Sequence, residues 1–245
     1  MNRISFKGMV TDPFSFFNIF LIFIVALAIT TVVGYPLLEY LVFKPAGTSF
    51  FSSDEGYLDL VFSPKALFIS LALQNIALVS LIYLRVIKFG GHTQEELGIS
   101  TKKIGKLSLL GLGWGIIIIA VVTAVTIGLA LAGLESEPSF GIPEKLPELA
   151  LILVAGVVFA PIGEELYFRA YIMTAVSARY NKTVTFTFSA LFFAVLHLSL
   201  EALIPILLMG FFLAYIFDRY KSITPCIIIH AMNNFIAIMW IFYFD

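Results

Sequence analysis

Apolar residues run along this chain in long unbroken stretches, and the polar residues gather in short breaks between them. The runs show neither the two-residue alternation of a half-buried strand nor the stripe of a helix lying on water. At 1.5 Å per residue, about 20 apolar positions cross a hydrocarbon layer roughly 30 Å thick. The pattern therefore predicts seven membrane-crossing helices, within a range of six to eight if one segment is broken or re-entrant. They cover roughly 14–38, 65–87, 107–134, 148–179, 183–198, 202–217 and 222–242. The fold class is all-α, a polytopic transmembrane helix bundle, and residues 1–245 read as a single integral-membrane domain.

Smaller signals refine the elements. Pro36 stands near the end of the first run, and polar residues including Asp54, Glu55 and Asp59 mark a loop over 44–64. Glu95 to Ile99 predicts a short interfacial helix that stops at Gly98. Gly111 and Gly115 form a small-xxx-small pair that lets a neighbouring helix approach closely. With Gly113 they match no nucleotide-binding glycine pattern, and no strand precedes them. A second acidic, proline-marked loop covers 135–147.

Composition agrees: 60% of residues are hydrophobic and 13% charged, with a mean hydropathy of +1.00. A net charge of −1 with no long basic run leaves no electrostatic footprint for nucleic acid. One cysteine, Cys226, cannot form an intrachain disulfide and reads as a space-filling core residue. Arg3 and Lys7 before an apolar run look like a signal peptide, but the run from Phe14 to Val33 is too long for one. It is expected to remain as the first span. Basic residues gather at the N-terminus, in 85–106, at Arg179 and Lys182, and at Arg219 and Lys221, while the 44–64 and 134–148 loops are acid-rich and poor in them. By the positive-inside rule the N-terminus is cytoplasmic and the C-terminus lies outside. The expected location is a cell membrane, and the brevity of the chain suits a bacterial one.

Charge inside an apolar run changes the picture most. Pro161-Ile-Gly-Glu164-Glu165-Leu-Tyr-Phe-Arg169 lies within the fourth run. Ionisable groups at membrane depth are costly, and they mark function by default. Glu165 and Arg169 are spaced to pair across one helical turn, with the acid first. Glu164 points about 100° away with no basic partner nearby, as a general base would. Pro161 removes a donor to the Val157 carbonyl and predicts a kinked, locally opened helix that admits water. Phe193 and His197 share a face of the fifth run, so the ring can pack on the imidazole; His230 and Asn234 share a face of the seventh. Counted from the cytoplasmic ends, these groups lie at overlapping depths of roughly 12–22 Å. Asn18, Gln74 and Asn75 read as interhelical hydrogen-bonding residues. Taken singly, the charge cluster and each histidine also fit a structural role between helices.

Together the motifs EExxxR (Glu164 to Arg169), FxxxH (Phe193 to His197) and HxxxN (His230 to Asn234) resemble those of the CAAX protease and bacteriocin-processing family, also called CPBP or Abi proteins, which includes the Rce1-type proteases. The likeness covers 148–240, taken as the catalytic core. It implies an intramembrane endopeptidase in which Glu164 with His197 activates water, His230 and Asn234 stabilise the oxyanion, and Glu165, Arg169 and Phe193 support the site. A metal-free glutamate mechanism is favoured, with no cofactor. The alternative is a zinc peptidase held by Glu164, His197 and His230. The expected partners are the lipid bilayer and a hydrophobic peptide or membrane-protein substrate. A non-catalytic bacteriocin-immunity or scaffold protein is the competing function. A proton-coupled carrier would require inverted-repeat symmetry, which the chain lacks.

Overall fold

The computed structural model describes residues 12–49, 57–134, 145–200 and 202–244. Among these the chain is helical, and seven rods organise it. They are α1 (Phe16–Ala46), α2 (Pro64–Lys88), α3 (Ile104–Leu131), α4 (Leu146–Ser177), α5 (Lys182–Val195), α6 (Leu203–Tyr220) and α7 (Ile223–Phe244). All but α5 are long and apolar enough to cross a membrane, which bears out the polytopic helical bundle. The expected fifth span over 183–198 is instead a helix of 14 residues. Its end tightens: the His197 and Leu198 N–H groups reach back only three residues, to Ala194 and Val195.

Two boundaries differ from expectation. The first helix continues past Pro36 through a π turn (Glu39–Phe43) and a 3-10 turn (Lys44–Ala46). Gly47, at φ 78°, ends it. The expected loop from 44 therefore starts later, and it also contains a helical turn, Tyr57–Val61. Arg3, Lys7, Asp54, Glu55 and most of the 135–147 loop lie outside the described residues. The short helix before Gly98 is present as a 3-10 turn, Glu95–Leu97, with Gly98 at φ 69°.

Close packing follows the small residues. A β-carbon on Gly111 would stand 2.9 Å from Ile228 Cβ and 3.0 Å from Pro225 Cα. On Gly115 it would stand 2.8 Å from Met232 Sδ. The glycine pair thus forms the groove in which α7 lies on α3. A β-carbon on Gly210 would meet Ala190 Cα at 3.0 Å, so α6 and α5 approach as closely. Cys226 is fully buried, as expected of a core residue.

α4 runs through the centre, with Tyr167, Arg169 and Tyr171 fully buried. Residues 12–19 are fastened to it. Tyr167 Oη donates to the Ile19 carbonyl at 2.8 Å, and Tyr171 Oη donates to the Pro13 carbonyl. Arg179 pairs with Asp12 and donates to the Phe14 carbonyl at 3.1 Å. Two expected polar links join neighbouring elements: Thr30 donates to Gln74 Oε1 at 2.8 Å, and Arg85 Nε donates to Asn18 Oδ1 at 3.3 Å.

Candidate active site

The backbone of α4 around the acidic pair is unusual. It widens to π-helix over Val154–Phe159, returns to α-helix over Ala160–Glu165, and widens again over Leu166–Met173. In the first wide segment the Ala160 N–H donates to the Ala155 carbonyl, five residues back. The missing donor at Pro161 is thus accommodated by a change of pitch, and the helix is not broken open as the sequence suggested. Such π segments collect at functional sites because they re-aim side chains without ending the helix.

Glu165 and Arg169 pair as their spacing predicts, with Nε 3.2 Å from Oε2 and both side chains fully buried. The guanidinium also lies 4.6 Å from the centre of the Phe193 ring, and Nη2 donates to the Gly210 carbonyl at 3.4 Å. A cation withdrawn from water this far is held by charge, ring face and carbonyl together.

The other oxygen of Glu165 reaches across to α7. Its Oε1 stands 2.8 Å from His230 Nδ1. An ionised carboxylate accepts there, so Nδ1 carries the proton and Nε2 faces away with its lone pair free. Nε2 points towards Glu164 Oε2, at 3.9 Å. That gap is too long for a direct hydrogen bond, and it suits a water held by both groups at ordinary lengths. Glu164 keeps 20% of its side chain exposed, and among the described residues its Oε2 has no hydrogen-bond partner. The two adjacent carboxylates therefore differ in environment: one is locked in an ion-pair network, the other faces the site.

The imidazole beside Glu164 is thus His230. His197, expected in that place, is exposed in the turn after α5. Its Nδ1 lies 2.7 Å from the Phe193 carbonyl, and among the described residues no ion pair or hydrogen bond joins it to Glu164. Phe193 connects the parts: its ring centre is 4.6 Å from that of His197 and 5.7 Å from that of His230. Asn234 donates to the Gly156 carbonyl at 2.8 Å, which ties α7 to the first π segment and leaves its second amide N–H available. Among the described residues, no three His, Cys, Asp or Glu side chains gather as a metal ligand set.

One contributor had no motif to announce it. Asn75 on α2 is buried and packs against Gly163, where a β-carbon would stand 2.1 Å from its Oδ1. Its Nδ2 donates to Leu71 in its own helix at 2.9 Å, not across to a neighbour as expected. Gly163→Ala should cost about 1–3 kcal/mol through overpacking. Asn75→Ala in the same chain should recover most of that loss. Thermal unfolding of both single variants and the double variant checks this, and equal losses with and without Asn75 would refute the contact.

Comparison with known proteins agrees over the same stretch. Residues 146–236 match the family described as Type II CAAX prenyl endopeptidase Rce1-like. All three motifs fall inside that segment, and the match bears out the family resemblance they carry. A Bacillus subtilis (strain 168) protein named "Putative membrane peptidase YdiL" is 32% identical over 108 residues, 44% of this chain and 44% of the relative. A Lactococcus lactis subsp. lactis (strain IL1403) protein named "UPF0177 protein YxdF" is 30% identical over 91 residues, 37% of this chain and 49% of the relative. The matched stretches span less than half the length of either curated relative. No solved structure matches the chain.

Proposed function

We propose that the chain is an intramembrane endopeptidase of the CAAX protease and bacteriocin-processing type. It would hydrolyse a peptide bond in a hydrophobic or membrane-associated substrate, from a multi-pass position in a cell membrane with the N-terminus cytoplasmic. Residues 1–245 act as one membrane unit, with 148–240 as the catalytic core. The observation that carries this reading is the relay from Arg169 through Glu165 and His230 to the free oxygen of Glu164. It resembles other hydrolytic sites, in which a buried acid fixes an imidazole beside the group that handles water.

In this mechanism a water lies between Glu164 Oε2 and His230 Nε2. Glu164 takes its proton as the oxygen adds to the peptide carbonyl carbon. The Asn234 amide N–H stabilises the carbonyl oxygen as it gains charge. When the C–N bond breaks, the proton held by Glu164 passes to the leaving amine. Glu165 and Arg169 are positioning residues that act through His230, and Phe193 holds both imidazoles in place. No step uses a metal.

The test is a mass-spectrometric comparison of secreted and membrane peptides from cells carrying the natural chain or Glu164→Ala. A peptide whose cleavage requires Glu164 supports the reading and identifies a substrate. Identical peptide sets, with a cellular phenotype still rescued by the variant, would favour a non-catalytic immunity or scaffold role.

A further inference from the structure

α5 is short for the layer it occupies. Its 14 residues rise about 21 Å, against a hydrocarbon thickness of roughly 30 Å. Its first residue is held at a charged surface: Lys182 pairs with Asp218 at 2.8 Å, and Lys221 pairs with the same carboxylate. α7 starts beside that surface and continues for 22 residues, about 33 Å and enough to cross. The far end of α5 therefore stops within the layer.

Residues 197–200 lie at that level. Leu198 is 90% exposed and Leu200 82% exposed, and Leu198 adopts φ 53°. Among the described residues, the carbonyls of His197 and Leu198 and the N–H of Leu200 make no hydrogen bond. Lipid offers such groups no partner, so non-helical backbone at this depth occurs only against protein or water. A segment that combines open backbone groups, bare leucines and the His197 imidazole matches an extended apolar peptide in both its polar and its apolar parts.

We infer that residues 197–200 line a water-filled recess, open on the membrane face opposite Lys182 and Lys221, and that an extended apolar peptide enters the site there. Its backbone pairs with the free groups of the turn, and its side chains meet Leu198 and Leu200. The identity of the occupant rests on the proposed peptidase reading, whereas the recess does not. With the basic ends cytoplasmic, the scissile bond would be presented from outside the cell.

The natural chain suits a thiol-labelling test, because its one cysteine, Cys226, is fully buried. Leu200→Cys and His197→Cys report on the turn. Lys102→Cys marks the basic face, since Lys102 lines the same surface hollow as Lys221. Sealed vesicles of both orientations are treated with a membrane-impermeant maleimide. Leu200→Cys and His197→Cys should react from one side, at rates within about tenfold of Lys102→Cys, which should react from the other. Reaction from the Lys102 side, or only after solubilisation, would overturn the recess. In a Glu164→Gln background, the peptide acetyl-(Ala-Leu)3-amide at twice its dissociation constant should slow labelling of Leu200→Cys about threefold. Unchanged labelling at every peptide concentration would overturn peptide docking. Labelling needs no turnover, so its failure would leave the Glu164 chemistry standing, and a chain without activity would leave the labelling result standing.

Discussion

Glu164→Gln should leave the protein folded and lower peptide hydrolysis by on the order of a thousandfold, within the range expected for loss of a general base. Both halves of this expectation come from the same geometry. Glu164 is partly exposed, 3.9 Å from His230 Nε2, and its Oε2 has no hydrogen-bond partner among the described residues. Glutamine keeps the size and shape of the side chain but cannot take a proton from water. No contact that holds helices together is lost, so the unfolding temperature in detergent should match that of the natural chain. Turnover and melting measured on the same purified preparations check this. Undiminished turnover would remove Glu164 from the mechanism. A large fall in melting temperature would make it a structural residue.

Arg169→Ala should have the opposite profile, failing in abundance before activity can be compared. The guanidinium and the Glu165 carboxylate are both fully buried at 3.2 Å. Removing one member of such a pair leaves an uncompensated buried charge and typically costs about 3–5 kcal/mol. The alanine would also vacate the ring face of Phe193, 4.6 Å from the guanidinium, which steadies both imidazoles. Arg169→Met combined with Glu165→Gln removes both charges while keeping most of the volume, so it should accumulate better than Arg169→Ala. It should still lack activity, because the amide no longer fixes the His230 tautomer as a carboxylate does. Membrane protein levels and thermal unfolding decide the first point, and peptide turnover decides the second. Equal abundance of natural and Arg169→Ala chains would show that the pair does not support the fold.

The sequence revealed this fold well where one rule governs a long stretch. Uninterrupted apolar runs located all seven rods, because backbone in lipid must satisfy its own hydrogen bonds. The Glu165–Arg169 pair was legible from a four-residue spacing, and the Gly111–Gly115 groove from the absence of side chains. The partner of Glu164 was not. His197 and His230 both lie in apolar runs with a suitable neighbour four residues away. Only the observed arrangement places His230 on Glu165 and leaves His197 in a turn. The early stop of α5 escaped because Leu196, Leu198 and Leu200 continue the apolar pattern past the end of the helix. Asn75 reads from the sequence only as an interhelical hydrogen-bonding residue; its contact with Gly163, 88 positions later in the chain, escapes because periodicity does not record such pairs. Pro161 pointed to a real irregularity, expressed as a change of pitch rather than an opening.

The bed that Gly111 and Gly115 make for α7 also imposes an order on biosynthesis. α3 leaves the ribosome about ninety residues before the helix that fills its groove. Until then, a strip of bare backbone on α3 faces lipid or whatever helix is at hand. α7 also delivers His230 and Asn234, so the proposed site is incomplete until that helix has inserted. A chain stalled or truncated before Ile223 would carry both carboxylates and remain inert. On the proposed reading, this delay would keep a half-made peptidase inactive during its own synthesis.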